Sequence, residues 1–533
     1  MSPRVYRNLT QLENRLRGGS NIESIRDLEE QIREHERAIV KLKRTRNSLL
    51  NVSKLPPEIL GEIFRWNVTV KDNFDGFEEG SYSFLLVCHH WFEVASRVPE
   101  LWSFWGNNMR DWRKWHLRYP TAPLDLVLNG EEFWGETLDD TLREALQDRT
   151  TRDVIRRIHL SSGEPGILNS ILSPLTASCE GIQSSSVESL ILWDRSDQSV
   201  DVSDFFAHYR FPKLQCLELV NCTISSWDLM TSRTSVLTTL ALGVTYPSPA
   251  PTTSELLSIL ASNPALRDVS LCENGLPDDN GGKSPFRVSL HNLRDLDLSG
   301  DLRHVFGFLH RLDLPKDMDS LTLNLMGCAV ADISQLIGPY LRDYLRHRDK
   351  SQNGLGLYLF SEGYTTFHVG DVDGIVLSTP ATTRIRTFIV ITVWLDQRPK
   401  ELLMGVPLEL ITQIPREEVV YLEVFGEPAA MEDVSAQLPN LRGLHFKKTP
   451  LLSIFPVSAL DGDGKIFPSL RHIYLDHIPI RGGDWGPLMT FLYHRAISGD
   501  RLCSLVIDGS PRMHPWVEDR IRSTVQEFTM IGE

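Results

Sequence analysis

The chain has 533 residues, a formal net charge of -15, 41% hydrophobic residues and 23% charged residues. This composition is that of an ordinary globular protein and excludes a disordered or membrane-spanning chain. The longest strongly apolar stretch, FIVITVWL at 388–395, has about eight residues, whereas a helix that crosses a bilayer needs about twenty. We therefore predict a buried strand there and no membrane partner. The absence of an apolar leader and the seven scattered cysteines predict a cytoplasmic or nuclear protein with reduced thiols.

The charge is unevenly distributed along the chain. Residues 1–54 carry twelve basic and seven acidic residues, a net of +5, which leaves -20 for the remainder. An acidic body argues against a nucleic-acid partner, because such proteins show a concentrated basic face. The basic start is either the solvated face of a helix or a contact for an acidic partner.

The first predicted element is an amphipathic helix over 22–53, after a flexible N-terminus at 1–21. Its apolar residues alternate three and four apart, as in the a and d positions of a heptad repeat: Ile25, Leu28, Ile32, Ile39, Leu42 and Leu49. His35 and Arg46 interrupt this seam. The helix either self-associates as a coiled coil or folds back onto the body of the protein.

A compact helical segment is predicted over 54–104. Pro57 suits a first helical turn, where a missing N–H costs nothing, and the apolar stripe Ile59, Leu60, Ile63 and Phe64 follows it. Residues 72–83 are polar and predict a loop, and the apolar spacing from Phe84 to Ala95 predicts a second helix. These helices have little core of their own.

Residues 105–122 are predicted to be a linker, in which Trp105, Trp112 and Trp115 are interleaved with basic residues. This cluster is more typical of packing at a domain junction than of a stacking platform for nucleic acid. A strand is predicted next, at PLDLVL (123–128).

From 123 to 520 the pattern L-x-x-L-x-L recurs, often after Phe-Pro or Leu-Pro. From Leu192 its last apolar position recurs after 27, 23, 29, 27 and 25 residues, at Leu219, Leu242, Leu271, Leu298 and Leu323. Such steps are typical of leucine-rich repeats, in which each short strand buries alternate residues and neighbouring units stack into a solenoid. The helix of one unit is predicted within 252–264, with Leu256, Leu257 and Leu260 behind the strand. Residues 326–418 fit poorly, as irregular repeat strands or an insertion, and 521–533 are predicted to be a C-terminal tail.

No motif predicts a catalytic, metal or cofactor site. The Gly-Lys-Ser of 278–285 lacks the spacing of a phosphate-binding loop, and DGDGK at 461–465 lacks the rest of a calcium loop. Cys88, His89 and His90 are adjacent on a predicted helix and diverge by about 100° each, so they do not converge on one ion. We expect no catalytic residue, no metal and no cofactor.

The segment 54–104 resembles the F-box motif. The matching residues run as L-P-P-E-I-L-x-x-I-F, then L-x-V-C-x-x-W-x-x-x-A, then P-x-L-W. With a heptad helix before it and leucine-rich repeats after it, the chain is similar to fungal F-box proteins. The resemblance implies an α/β solenoid fold with an N-terminal helix, a small all-α F-box and a curved leucine-rich-repeat-like horseshoe.

The resemblance also implies a function: the substrate receptor of an SCF-type ubiquitin ligase, without catalytic residues of its own. The F-box would bind a Skp-family adaptor, which links to a cullin carrying the RING subunit, and the repeats would bind a protein substrate. The adaptor-binding residues expected on this basis are Leu55, Pro56, Ile59, Leu60, Ile63, Val87, Cys88 and Trp91, the last three shared with the internal core.

Two other classes of function stay open from the residues. One is a coiled-coil and repeat scaffold without ligase coupling, which predicts no adaptor binding. The other is an enzyme whose site lies within 326–418, which predicts a polar pocket with perturbed titratable groups. The net acidic repeat region favours a basic ligand.

Overall fold

A computed structural model gives the structure of the protein. The residues it describes are 21–69, 84–102, 104–105, 121–129, 140–164, 166–176, 183–196, 199–234, 236–243, 251–272, 276, 287–315, 318–326, 333–347, 355–361, 365–373, 384–393, 408–426, 431–455, 467–479, 485–509 and 513–531. The chain divides into two compact units, Met1–Asp125 and Leu126–Glu533. They are called the helical unit and the sheet unit below.

The helical unit contains three described α-helices. Its elements are α1 (Asn21–Ser48), a 3-10 turn (Asn51–Lys54), α2 (Pro57–Thr69), α3 (His89–Ala95), a second 3-10 turn (Pro99–Trp102) and the short strand β1 (Phe104–Trp105). The N-terminal helix is thus confirmed, although its last residues form a 3-10 turn. The prediction that the second helix starts at Phe84 is wrong: residues 84–86 form a 3-10 turn, and α3 begins only after Cys88, whose φ of -164° and ψ of 165° are extended.

The helical unit has a core of its own. Eight side chains in it are at most 9% exposed: Leu60, Phe64, Phe84, Val94, Ala95, Val98, Leu101 and Trp102. The ring of Phe64 stacks on Phe84 with centroids 4.5 Å apart. Gly61 allows the backbone of α2 to approach the segment that follows α3, since a Cβ there would lie 3.1 Å from Cγ2 of Val98. The indole of Trp102 donates to the carbonyl of Ala95 at 2.9 Å, so all three segments of the predicted compact region are joined.

The sheet unit is a mixed α/β structure built around a large parallel sheet. Strand β2 (Leu124–Asn129) crosses the boundary between the units and confirms the strand predicted there. Among the described helices of the sheet unit are α4 (Asp140–Gln147), α5 (Arg149–Val154), α6 (Ile167–Thr176), α7 (Ser203–His208), α8 (Asp228–Arg233), α9 (Thr253–Ser262), α10 (Leu302–Leu309), α11 (Gly338–His347), α12 (Met431–Gln437), α13 (Leu451–Ile454), α14 (Gly486–Ile497) and α15 (Pro515–Thr524).

The strands alternate with these helices along most of the chain. Those of the large sheet are β3 (Ile155–Ser162), β5 (Ser189–Asp194), β8 (Cys216–Val220), β10 (Thr239–Gly243), β11 (Asp268–Cys272), β13 (Asp295–Asp301), β15 (Ser320–Met326), β16 (Leu355–Ser361), β17 (Thr365–Asp373), β18 (Arg384–Val393), β19 (Val419–Gly426), β20 (Gly443–Lys447), β21 (His472–Asp476), β22 (Ser504–Asp508) and β23 (Glu527–Ile531). Two-residue strands form small parallel pairs beside it: β4 (Gln183–Ser184) with β7 (Tyr209–Arg210), β6 (Val200–Asp201) with β9 (Cys222–Thr223), and β12 (Val288–Ser289) with β14 (Leu312–Asp313).

The leucines predicted to recur are aligned across the sheet. Consecutive strands from β5 to β15 pair in parallel, and their Cα partners are Leu192, Leu219, Leu242, Leu271, Leu298 and Leu323 in order. Each of these side chains is at most 3% exposed. Because side chains alternate between the two faces of a strand, one row of leucines lies in the core while the residues between them lie on the other face.

The helix predicted within 252–264 is also confirmed, as α9. Thr252 and Glu255 form a reciprocal capping box at its start, which satisfies two N–H groups that lack a helical partner. Leu256, Leu257 and Leu260 are buried as predicted. The helix ends before Asn263, whose buried side chain accepts from the N–H of Leu237 and donates to the carbonyl of Ile259.

Residues 326–418 interrupt the simple alternation but continue the sheet. Strand β18 pairs in parallel with β15, and β16 pairs in parallel with β19. Strand β17 lies between β16 and β18 and is antiparallel to each of them. Its register against β18 shifts at Val369/Gly370. The apolar stretch at 388–395 contributes to β18, in which Ile391 is completely buried. The poor fit of this region to the repeat thus reflects an antiparallel strand within a parallel sheet.

The C-terminus is not a tail. Residues 515–524 form α15, and β23 pairs in parallel with β22 from Glu527 to Ile531. The predicted tail at 521–533 is therefore wrong for the residues up to 531, because all five residues of β23 pair with β22, although their side chains are exposed or half-buried. Among the described residues, no helix combines the length and the apolar character that crossing a membrane requires.

Candidate functional site

The strongest candidate surface lies on the helical unit, where α2 begins at the Leu-Pro-Pro sequence. Pro57 is the first residue of α2, and the carbonyl of Pro56 accepts the N–H of Leu60 at 3.1 Å. A proline at the first helical position loses no hydrogen bond. The two prolines therefore fix the start of the helix and the direction in which its two faces point.

One face of α2 is buried and the other is exposed and apolar. Leu60 and Phe64 are 0% and 2% exposed, in the core of the unit. Ile59, Ile63 and Trp66 are 49%, 48% and 69% exposed. Their spacing of four and three places them on one side of the helix. A helix of an ordinary monomeric domain has polar residues on that side.

A second exposed apolar group lies between Leu86 and Phe92. Leu86, Val87 and Phe92 are 89%, 52% and 43% exposed. Cys88 and Trp91 are half-buried. The indole ring of Trp91 packs on Phe64 with centroids 5.2 Å apart. Trp91 therefore contributes to the core while part of its surface faces solvent.

The predicted adaptor-binding residues thus divide into three groups. Pro56, Ile59, Ile63 and Val87 are exposed, and Leu55, Cys88 and Trp91 are half-buried. Leu60 is completely buried and offers no surface to a partner in this conformation, because its side of α2 faces the core. Trp66, Leu86 and Phe92 were not among the predicted residues, although the three-and-four spacing of α2 could have indicated Trp66.

Charged residues border the exposed face of α2 without covering it. Arg65 forms ion pairs with Glu62 in the preceding turn and with Glu100, the latter at 3.5 Å. Both pairs join partly exposed groups, so each contributes little to stability. The arrangement can bury apolar area of a partner and surround it with charged groups, which is the usual anatomy of a protein–protein interface.

A second candidate surface lies on the sheet unit, on the face opposite the leucine row. There the residues between the leucines line a cavity of about 290 Å³. Two neighbouring rows cross it: Glu218, Ala241, Ser270, Asp297 and Thr322 in one, and Thr239, Asp268, Asp295 and Ser320 in the other. Four of these residues are carboxylates, so the cavity is acidic.

Three carboxylates of this surface, Glu218, Asp295 and Asp297, lie in an environment that disfavours their charge. Burial raises the pKa of Glu218 and of Asp297. Burial also raises the pKa of Asp295, with the nearby carboxyl of Asp268 as a further cause. An approaching ammonium or guanidinium group would favour the ionised forms. The charge of this surface is therefore complementary to a basic group.

The described residues also bear on whether the chain holds a metal ion. Among the described residues, no group of three or more His, Cys, Asp or Glu side chains is arranged to hold a metal ion. His89 lies 3.5 Å from Glu93 on the same helix, and both are half exposed. The sequences at 278–285 and 461–465, the loop at 72–83, the N-terminus at 1–20, and Trp112 and Trp115 lie outside the described residues.

Comparisons with known proteins add no assignment. No protein-family model matches the chain. No curated protein matches it either.

Proposed function

We propose that this chain is the substrate-recognition subunit of an SCF-type ubiquitin ligase. In this proposal the helical unit is an F-box that binds a Skp-family adaptor, and the sheet unit binds a protein substrate. The observation that carries the proposal is the exposed apolar side of α2, on a unit whose own core is already complete without it. The resemblance of 54–104 to the F-box motif indicates that a Skp-family adaptor would cover that side of α2.

The physical argument concerns where apolar side chains lie. Ile59, Ile63 and Trp66 follow one another along a single helix, and large exposed apolar groups of this kind mark interaction sites in soluble proteins. Leu86, Val87 and Phe92 add apolar surface from the second half of the same unit. An adaptor that covers them would remove from water about half or more of the surface of each side chain.

For the sheet unit we propose a leucine-rich-repeat-like solenoid. In support, the recurring leucines are Cα partners on successive parallel strands, and a helix such as α9 follows a strand and buries its leucines. In repeat proteins each unit contacts mainly its neighbours, and the residues between the core positions form an extended binding surface. The acidic cavity between Glu218 and Thr322 lies on that surface.

The test is co-expression of the full chain with a fungal Skp-family adaptor, followed by size-exclusion chromatography. We expect stoichiometric co-elution of the wild-type chain, and we expect the Ile59→Asp, Ile63→Asp double variant to lose it. Both residues are about half exposed, so the double variant should keep the circular dichroism spectrum of the wild type. A matched control is Ile497→Asp, which places the same change at a side chain 67% exposed on α14 and should retain the adaptor.

The outcome also distinguishes the alternative of a coiled-coil and repeat scaffold without ligase coupling. A wild-type chain that never co-elutes with the adaptor contradicts the receptor proposal and favours the scaffold. If the double variant still co-elutes with the adaptor, the exposed side of α2 is not part of the interface.

The acidic cavity is the part of the sheet unit that we propose for a basic substrate segment. A fluorescent arginine-rich peptide is a suitable probe, and its binding should weaken severalfold in the Asp295→Asn, Asp297→Asn variant. Asp519→Asn, an exposed carboxylate on α15, is the matched control. Equal weakening by both changes would indicate only the net negative charge of the chain.

A further inference from the structure

The apolar seam of α1 is exposed along its length. Ile25, Ile32 and Ile39 are 55%, 54% and 50% exposed, and Leu42 is 70% exposed. Leu49, one residue beyond the helix end, is 71% exposed. With Leu28 these residues occupy the a and d positions of successive heptads, the positions that a partner helix covers in a coiled coil. No described residue of the chain covers this seam, so the seam is open to a partner helix.

The charges of α1 are divided between its two halves. Residues 21–36 carry six acidic and two basic residues, a net of -4, whereas residues 37–48 carry five basic residues and no acidic one, a net of +5. The helix macrodipole favours acidic residues in the first turn and basic residues in the last. It does not account for the roughly six turns between them, because its effect falls off within one turn of each end.

We propose that the occupant is a second copy of the same chain, and that two α1 helices pair in antiparallel orientation. The acidic half of each helix then lies along the basic half of the other. A parallel pair would instead place acidic against acidic and basic against basic. This inference concerns assembly and does not depend on the function proposed above.

The heptad register supports the same orientation in the seam. In antiparallel pairs an a residue of one helix faces a d residue of the other. Ile32 then faces Leu42 of the second copy, and Arg46 faces Leu28. A parallel pair would bring Arg46 against its own copy, and His35 against its own copy, inside the seam. Two like charges in such a layer repel, whereas a single arginine beside leucine can extend its head to solvent.

Two charged residues at the flanking e positions lie side by side in the antiparallel orientation but not in the parallel one. In the antiparallel register Glu29 of each chain lies beside Lys43 of the other, so the dimer contains this pair twice. At the midpoint of the antiparallel pair, Glu36 of one chain lies beside Glu36 of the other. This one unfavourable contact is outnumbered by the two favourable Glu29–Lys43 contacts. In a parallel pair Lys43 would lie beside Ala38, which carries no charge. Charges at these positions are known to decide orientation and partner choice in coiled coils.

The orientation also sets where the rest of each chain lies. Helix α1 has 28 residues, and at a rise of 1.5 Å per residue it is about 40 Å long. The chain leaves α1 at its C-terminal end, toward α2. An antiparallel pair therefore separates the two exit points by about the length of the helix, whereas a parallel pair would hold them side by side.

The test measures the dimer dissociation constant of the full chain by analytical ultracentrifugation. We expect the wild type to dimerise at micromolar concentrations, and Lys43→Glu to weaken the dimer by on the order of tenfold, because each Glu29 then faces a glutamate. The double variant Glu29→Lys, Lys43→Glu should return to the wild-type constant. An effect of each substitution on its own helix predicts instead that the double variant is weakened at least as much as Lys43→Glu.

A second measurement reports the orientation directly. One preparation carries Ile32→Cys and another carries Leu42→Cys, and both are oxidised alone and after mixing. The antiparallel pair predicts a disulfide-linked dimer in the mixture and not in either preparation alone, with the wild type as the background for the natural cysteines. A wild-type chain that is monomeric at tens of micromolar, or variants that cross-link alone, would overturn the proposal.

Discussion

In the helical unit Ile59 and Ile63 keep about half of their surface exposed, whereas in the sheet unit the leucine row from Leu192 to Leu323 is at most 3% exposed. Both regions consist of apolar side chains at regular spacing. The row is covered because each strand stacks on the next, while the described residues of the helical unit leave Ile59 and Ile63 about half exposed. The sheet unit therefore buries its apolar repeat within its own core, whereas the helical unit keeps part of its apolar side chains in contact with solvent.

The largest expected effect comes from emptying the core of the helical unit. Phe64→Ala removes the ring that stacks on Phe84 and packs on Trp91, and a buried Phe→Ala change costs about 3–5 kcal/mol. Because this core is small, few other contacts compensate for the lost ring. We therefore expect hydrogen exchange to accelerate across 57–102. The protection of 155–531 should stay as in the wild type. Unchanged protection in 57–102 would show that the core is held from outside the unit.

The same kind of change in the sheet unit should have a large effect as well. Leu298→Ala opens a cavity between Leu271 and Leu323, its partners on either side, and should lower the free energy of unfolding by about 2–5 kcal/mol. The midpoint of urea unfolding measures it. Val236→Ala, at a side chain 38% exposed, should stay within about 0.5 kcal/mol of the wild type. Equal effects of the two changes would contradict a continuous core.

A smaller effect is expected at the start of α9. Thr252→Ala removes the hydroxyl that accepts from the N–H of Glu255 at 3.3 Å and should cost about 1 kcal/mol. Thr252→Ser keeps the hydroxyl and should retain most of the stability. Thermal unfolding compares the two variants, and a serine variant as unstable as the alanine variant would show that the hydroxyl is not the cause.

The smallest effect is expected at the acidic cavity and depends on pH. Because burial raises the pKa of Asp297, the folded state binds the proton more tightly than the unfolded state does. The ionised carboxylate therefore reduces stability above the folded-state pKa, and this loss disappears as the pH falls toward the unfolded value of about 3.9. Asp297→Asn should raise the melting temperature at pH 7 and change it little at pH 3.5. An effect of the same size at both pH values would show that the charge is not responsible.

The sequence was sufficient to predict the leucine row and the start of α2. Leu192, Leu219 and Leu242 recur at steps that one strand–helix unit requires, so their alignment followed from spacing alone. Pro57 marks a helix start because its ring permits few other conformations. These features depend on local chemistry, and local chemistry is what a sequence displays.

Other features depend on contacts distant in the chain and could not be predicted. The sequence did not show which side of α2 is buried, because Leu60 and Ile59 are equally apolar and the packing of α3 decides between them. Nothing local distinguishes Arg495 on α14, whose buried guanidinium donates to the carbonyls of Phe467 and Leu470 at 2.8 and 2.7 Å. The direction of β17 likewise depends on its neighbours β16 and β18.

The most direct test of the proposed function is hydroxyl-radical footprinting of the full chain with and without a Skp-family adaptor. The method measures the solvent accessibility of individual side chains in the unmodified protein. If the helical unit binds the adaptor, we expect oxidation of Trp66, Leu86 and Phe92 to fall when the adaptor is added. Oxidation of Trp516, which is 62% exposed on α15, should stay unchanged. Unchanged oxidation of the helical unit, or protection of Trp516 instead, would contradict it.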